Sequence, residues 1–220
     1  MNHETIFSHV DHTLLAANAA AEDILKLCQE AVRYNMASVC IPPSYISLAR
    51  TNHPNLNLCT VIGFPLGYSS TNAKVQEIKD ALKDGCNEFD MVINISWAKN
   101  GEFDKITEEI AALKDAVGDK VLKVIIETCY LNEEEKLALC KCVTDAKADY
   151  IKTSTGFGTA GAVLEDIALF KSAIGPAVKI KAAGGVRTKE DMIAFLRAGC
   201  DRIGTSGAIK ALSGETIEGY

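Results

Sequence analysis

No stretch of this 220-residue sequence approaches the ~18–20 consecutive apolar residues that a helix needs to cross a bilayer. No membrane association is therefore expected. Basic residues are not in excess: 23 Lys and Arg face 29 Asp and Glu, a formal net charge of −6. That balance argues against a nucleic-acid partner, which would select a basic face. Five Pro and 16 Gly are too few for a collagen-like or linker-like polymer. No Pro/Ser-rich stretch or charge block divides the chain. The opening Met1-Asn2-His3-Glu4 has no basic region leading into an apolar core, so no secretory signal is expected. Zinc-type Cys/His spacing is missing, and so are the HExxH, GxSxG, Walker and EF-hand patterns. Metal-dependent chemistry has no support in the sequence, and no cofactor is expected.

What is present is a chain rich enough in apolar residues, 48%, to exclude disorder. At this length a chain buries about 70% of its unfolded surface, enough for one full core. The eight cysteines, Cys28, Cys40, Cys59, Cys86, Cys129, Cys140, Cys142 and Cys200, are scattered through apolar segments without a CxxC pair. They read as reduced, mostly buried thiols of a cytoplasmic protein and not as a disulfide framework.

One pattern recurs along the sequence: a short β-rich apolar run, a turn, then an amphipathic helical stretch. The runs cover 9–14, 38–41, 58–64, 88–94, 121–128, 150–153, 178–182 and 202–205. Between them, a helix over 22–34 carries Ile24, Leu25, Leu27, Cys28, Ala31 and Val32 on one face. Thr71 is the expected cap of a second helix, which Gly85 ends. Asn132 with Glu135, and Thr188 with Asp191, have the spacing of capping boxes. An internal echo strengthens the pattern: Ala81-Leu82-Lys83-Asp84-Gly85-Cys86-Asn87-Glu88-Phe89 and Phe195-Leu196-Arg197-Ala198-Gly199-Cys200-Asp201-Arg202-Ile203 lie 114 residues apart, about four repeat units. Eight such units in one undivided chain predict an α/β fold, a single (β/α)8 barrel domain spanning 1–220 with a short N-terminal extension. A doubly wound open sheet is the alternative, but no Gly-rich fingerprint follows the first strand.

In a barrel, chemistry belongs at the C-terminal ends of the strands. Charged residues inside strand patterns are therefore informative, and four stand out: Asp90, Lys123, Lys152 and Lys181. Lys152 and Lys181 are 29 residues apart, one βα unit, which places them at matching heights on neighbouring strands. Two desolvated ammonium groups destabilise each other, and one is expected to give up its proton and act as a carbonyl nucleophile. The competing reading has both lysines snorkelling to solvent. Asp90, on the fourth strand, is expected at the same rim as a proton relay or as a counter-ion. Ala183-Gly184-Gly185-Val186-Arg187 follows the seventh strand, and Gly204-Thr205-Ser206-Gly207 follows the eighth and opens a short helix over 208–212. Backbone N–H groups in such turns suit a phosphate, and these are the loops where such barrels commonly hold one. Thr153-Ser154-Thr155-Gly156 adds hydroxyls nearby. Asp11 is expected to face the site, and Cys40 either approaches the barrel mouth or is a small buried hydrophobe.

These residues also resemble a known family. Asp11-His12-Thr13-Leu14-Leu15, Gly63-Phe64-Pro65-Leu66-Gly67, Glu88-Phe89-Asp90, Lys123-Val124-Ile125-Ile126-Glu127, Ile151-Lys152-Thr153-Ser154-Thr155-Gly156 and Lys181-Ala182-Ala183-Gly184-Gly185-Val186-Arg187 closely resemble the deoxyribose-phosphate aldolases. The resemblance runs from residue 9 to the C-terminus. It implies a metal-independent class I aldolase interconverting 2-deoxy-D-ribose 5-phosphate with D-glyceraldehyde 3-phosphate and acetaldehyde. In it, Lys152 matches the Schiff-base lysine, Lys181 the lysine that tunes it, and Asp90 the proton-relay carboxylate. Asp11, Thr13, Thr155, Gly184, Gly185, Arg187, Gly204, Ser206 and Gly207 fall where substrate and phosphate are held. Cys40, Lys123 and the terminal Tyr220 are accessory candidates, and a homodimer is implied. Some members carry Lys where this chain has Phe157, so one phosphate-facing cation is missing. The competing functions are a Schiff-base barrel aldolase for another phosphorylated sugar, and a phosphosugar-binding barrel without catalysis.

Overall fold

The computed structural model of the protein describes residues 1–213. Its strands are β1 (Val10–Thr13), β2 (Ser38–Cys40), β3 (Leu58–Ile62), β4 (Glu88–Val92), β5 (Val121–Ile125), β6 (Tyr150–Lys152), β7 (Lys179–Ala183) and β8 (Arg202–Thr205). Each pairs in parallel with the next, and β8 pairs with β1, which closes the barrel and excludes the open sheet. The helices are α1 (His3–Phe7), α2 (Ala21–Arg33), α3 (Ile46–Asn52), α4 (Thr71–Lys83), α5 (Ile95–Lys99), α6 (Phe103–Val117), α7 (Glu133–Asp145), α8 (Leu164–Ala173), α9 (Lys189–Ala198) and α10 (Ala208–Ser213). The N-terminal extension is α1, capped by Asn2 and burying Ile6 and Phe7. None of the described helices is long and apolar enough to cross a membrane.

Several expected strands end early. The runs over 58–64, 88–94 and 121–128 leave the ladder at Ile62, Val92 and Ile125. Their last residues build the rim instead: Gly63 turns with positive φ, Asn94 caps α5, and Glu127 sits in the left-handed region. Both expected capping boxes form, at Asn132/Glu135 and Thr188/Asp191. The cap of α4 is Ser70, which accepts from Ala73 N, and Thr71 is the first helical residue. Val32 is 57% exposed, so the buried stripe of α2 is narrower than expected and runs through Ile24, Leu27, Cys28 and Ala31. The echoed segments share one turn geometry. Cys86 N and Cys200 N donate to Ala81 O and Phe195 O, while Gly85 N and Gly199 N donate to Leu82 O and Leu196 O. Both glycines have positive φ, as this helix stop requires.

Seven cysteines are buried and Cys129 is half-buried, all as free thiols. Burial pushes the thiols of Cys86, Cys140 and Cys200 up to about 12, which leaves them inert at neutral pH.

The strands are buried on both faces, and the two faces differ in chemistry. Val10, Val39, Leu58, Phe89, Met91, Leu122, Val124, Ile151, Ile180 and Ile203 point outward into the main apolar core beneath the helices. Inside the barrel the only apolar cluster among the described residues is small, formed by Cys40, Cys59 and Val61 with Leu15 and Phe64. Branched aliphatic side chains, the usual filling of such an interior, are largely replaced by ions.

Candidate active site

Asp90, Lys123, Lys152 and Lys181 come from four consecutive strands. Asp90 lies beside Lys123, and Lys152 beside Lys181, in strand register. The matching height predicted for the two lysines is met. Lys152 Nζ donates to Asp90 Oδ2 at 2.8 Å, and Lys181 Nζ donates to the same oxygen at 2.7 Å. Asp90 Oδ1 accepts from Lys123 Nζ at 2.8 Å and from Cys59 Sγ at 3.2 Å. Neither Lys152 nor Lys181 snorkels: Lys181 and Asp90 are fully buried, and Lys152 is 3% exposed.

Burial alone would raise the Asp90 carboxyl. Lys123, Lys152 and Lys181 outweigh it and hold the group well below the usual carboxylate range. Burial opposes the Lys181 ammonium, but Asp11 and Asp90 outweigh it and keep the charge in place. Lys123 is likewise held charged against burial by Asp90, Asp11 and Glu88.

Asp11 does not face the cleft as expected. It lies beneath Lys181, where Oδ2 accepts from Lys181 Nζ at 2.5 Å and Oδ1 accepts from Ser38 Oγ at 2.8 Å and from Arg202. Its side chain is fully buried and its oxygens are taken by the ion cluster. Cys40 is also buried, inside the barrel beside Cys59, and does not line the mouth. The Cys40 and Cys59 sulfurs and an Asp90 oxygen lie within 4.8 Å of one another. The three lysine ammonium groups that surround Asp90 already occupy its lone pairs and disfavour a metal cation there.

Above the cluster opens a cleft, and Lys152 lies at its floor. Thr13, Thr155, Gly184, Gly185, Arg187, Gly204, Ser206 and Gly207 all line it, as the sequence leads one to expect, together with Leu15 and Phe157. Phe157 meets Phe64 edge to face, with ring centroids 5.4 Å apart. Tyr220 lies outside the described residues.

Three features of the site were not legible as functional. Thr155 lines the cleft, but its hydroxyl donates to Glu127 Oε2 at 2.5 Å, and Thr155 N donates to the same carboxylate at 3.2 Å. Glu127 thereby clamps the loop after β6, and Phe157 N donates to Thr155 Oγ1 at 2.9 Å. Burial raises the Glu127 carboxyl, and the residue holds a left-handed backbone at φ 57°. An acid ending a strand run was the available signal. Gly161 is required by close approach, since a Cβ there would meet Gly184 O at 2.2 Å. It lets the β6 loop dock on the β7 loop, where Ala162 N donates to Gly184 O at 3.0 Å. Glu88 and Arg202 also enter the interior from β4 and β8. As charged residues in strand patterns, they met the same criterion that singled out Asp90.

Comparison with known proteins places this architecture. The sequence model described as DeoC/LacD family aldolase matches residues 5–213. The chain is 63% identical over 221 residues to a deoxyribose-phosphate aldolase of Clostridium botulinum, covering 100% of both chains. It is 54% identical over 216 residues to a deoxyribose-phosphate aldolase of Clostridioides difficile, covering 98% of this chain and 99% of that one. Among solved structures, the deoxyribose phosphate aldolase of Aeropyrum pernix, described as a unique tetramer, superposes with a TM-score of 0.88 at 31% identity over 97% of this chain and 92% of that one. With a family match over nearly its whole length, the chain belongs to the DeoC/LacD family of aldolases.

Proposed function

We propose that the protein reversibly cleaves 2-deoxy-D-ribose 5-phosphate to D-glyceraldehyde 3-phosphate and acetaldehyde, through a Schiff base on Lys152. The observation that carries this reading is the pair of lysines converging on one oxygen of Asp90 at the floor of a cleft with glycine-rich walls. The full-length similarity to deoxyribose-phosphate aldolases supplies the substrate.

In the cleavage direction, the neutral amine of Lys152 attacks C1 of the open-chain sugar, and loss of water gives a protonated imine. The imine is the electron sink. Asp90, through a water, takes the proton of the C3 hydroxyl, the C2–C3 bond breaks, and its electrons move into the enamine. C3 to C5 leave as glyceraldehyde 3-phosphate. Protonation of the enamine and hydrolysis release acetaldehyde and restore the amine. When Lys152 becomes the imine nitrogen, Asp90 Oδ2 loses one of its two ammonium donors and gains room for that water. Lys181 stays charged beside it and disfavours a second cation at Lys152. The phosphate is assigned to the loops carrying Gly184, Gly185, Arg187, Gly204, Ser206 and Gly207, with Thr13 and Thr155 toward the sugar.

Borohydride reduction in the presence of acetaldehyde tests the reading. A two-carbon adduct mapped to Lys152 is the expected result. No adduct, or loss of activity with a chelator, overturns it. A homodimer in the cytoplasm completes the proposal, in contrast to the tetramer of the Aeropyrum relative. The free thiols support a reducing compartment, and light scattering distinguishes the two assemblies.

A further inference from the structure

The ionic interior continues below the lysines toward the N-terminal end of the barrel, into groups that the proposed chemistry does not use. Arg202 Nη2 donates to Glu88 Oε1 at 2.9 Å, and Nη1 donates to Asp11 Oδ1 and, at 3.3 Å, to Glu88 Oε2. Glu88 Oε2 lies 2.6 Å from Lys123 Nζ. One line of ion pairs therefore runs Arg202–Glu88–Lys123–Asp90–Lys152, and a second runs Arg202–Asp11–Lys181–Asp90. Arg202 is 15% exposed, and no other member exceeds 4%.

The column holds four cations, Arg202, Lys123, Lys152 and Lys181, against three carboxylates, Asp11, Glu88 and Asp90. An uncompensated charge in a buried cluster is costly, so the column is nearest balance when one cation gives up a proton. Arg202 does not give up its proton in a protein. Lys123 touches three carboxylates and Lys181 two, whereas Lys152 touches Asp90 alone and lines the cleft. We infer that Arg202 and Glu88, which reach Lys152 only through the intervening ion pairs, are positioning residues that set the net charge of this column and thereby the pH range in which Lys152 is nucleophilic. The inference rests on Lys152 being the Schiff-base lysine.

Other titratable groups face the column. Cys40 enters from β2 and Cys59 from β3, Tyr150 lies on β6 with Lys179 of β7 over its ring, and Glu127 stands beyond β5. Burial keeps Cys59 and Tyr150 protonated. The hydrogen bond from Cys59 lowers the Cys40 thiol, and burial raises the Glu127 carboxyl. All of these residues are kept in every variant below; Arg202 also lies over the Tyr150 ring, 5.9 Å from its centroid, and Arg202→Lys, which keeps a cation, separates the loss of that contact from the column's charge.

The test follows kcat/KM and the rate of borohydride trapping with acetaldehyde against pH, for the wild type, Glu88→Gln, Arg202→Met and the double variant. Glu88→Gln raises the surplus to two cations, and the acid limb moves down by roughly one pH unit. Arg202→Met removes the surplus, and the limb moves up by a similar amount. The double variant restores a surplus of one, and its limb returns to the wild-type position. Single variants that lose activity without moving the limb, or a double variant that fails to return, overturn the inference. Should Arg202→Met not fold, Arg202→Lys keeps the charge and is expected to keep the wild-type limb at reduced activity; a shifted limb there overturns the inference too. Absence of any trapped Lys152 in the wild type defeats the Schiff-base reading itself and is distinguishable from these outcomes.

Discussion

Lys152 and Lys181 stand opposite each other on β6 and β7 and donate to a single oxygen, Asp90 Oδ2, at 2.8 and 2.7 Å. Two ammonium groups that share one lone-pair region need unequal roles, and their surroundings differ. Lys181 is sealed and has Asp11 as a second partner, while Lys152 has an edge on the cleft.

Replacing Lys152 with Ala is therefore expected to abolish both turnover and borohydride trapping. The fold survives, because Asp90 keeps Lys181 and Lys123. Circular dichroism with a trapping assay checks both halves; residual turnover at the wild-type rate removes Lys152 from the chemistry.

Lys181→Leu is expected to lower kcat by ~10²–10³-fold, the cost of removing one preorganised charge from an active site. It also leaves Asp11 Oδ2 and Asp90 Oδ2 short of a donor in a dry interior. Breaking a buried pair in this way costs about 3–5 kcal/mol. Steady-state kinetics and a denaturant titration separate the catalytic loss from the structural one.

Asp11 gives a pH signature in stability. Burial raises its carboxyl, but Lys181, Lys123 and Arg202 outweigh burial and depress it strongly. A depressed acid contributes stability that is present above its unfolded value of 3.8 and lost as pH falls toward the folded value. Asp11→Asn is thus expected to destabilise the protein by about 3–5 kcal/mol at pH 7. The gap to the wild type narrows below pH 3.8, because there the wild type loses the same contribution. Equilibrium unfolding between pH 7 and 3 measures it, and a gap that stays constant across that range contradicts the assignment.

Glu127 holds the loop after β6 through Thr155, and is expected to act on that loop and not on the reacting atoms. Glu127→Ala frees Thr155 and the loop that presents Gly156 and Phe157 to the cleft. KM for the phosphorylated sugar is expected to rise ~10-fold with kcat changed less, matching the loss of about 1.5 kcal/mol of charge-assisted hydrogen bonding. Glu127→Gln, which keeps an acceptor, recovers most of the affinity. A kcat effect with KM unchanged in Glu127→Ala places Glu127 in the chemistry instead.

How far the sequence speaks depends on how local each feature is. The repeat of strand, turn and helix is local, so the barrel, both capping boxes and the turns at Gly85 and Gly199 are legible. The pairing of Lys152 with Lys181 is legible because one βα unit is a fixed displacement around a closed barrel. Depth along the barrel axis is not local. Asp11 and Asp90 both look like rim residues, yet Asp11 lies under Lys181 because Arg202 and Ser38 draw its other oxygen inward. Glu127 is hidden for a related reason: its partner Thr155 is 28 residues away, and its left-handed backbone has no glycine to announce it.

Phe157 is expected to bear on what the cleft prefers at the end assigned to the phosphate. It lines the same cleft as Arg187, Gly184 and Ser206, is 48% exposed, and packs edge to face on Phe64. Such an aromatic pair is worth about 0.5–1.5 kcal/mol and gives that wall an apolar character. Phe157→Lys introduces a cation there. A charge-assisted contact at a partly exposed site is worth about 1 kcal/mol, so KM for 2-deoxy-D-ribose 5-phosphate is expected to fall ~3–10-fold. The gain should shrink as salt is raised from 0.05 to ~0.5 M, because screening acts on exposed charge. KM for an unphosphorylated acceptor aldehyde should rise, since the apolar wall is lost. Kinetics with both acceptors at two ionic strengths distinguish these terms. An unchanged KM for the phosphorylated sugar means that the Phe157 side chain lies beyond reach of the phosphate, and the apolar wall then has no part in selecting the substrate.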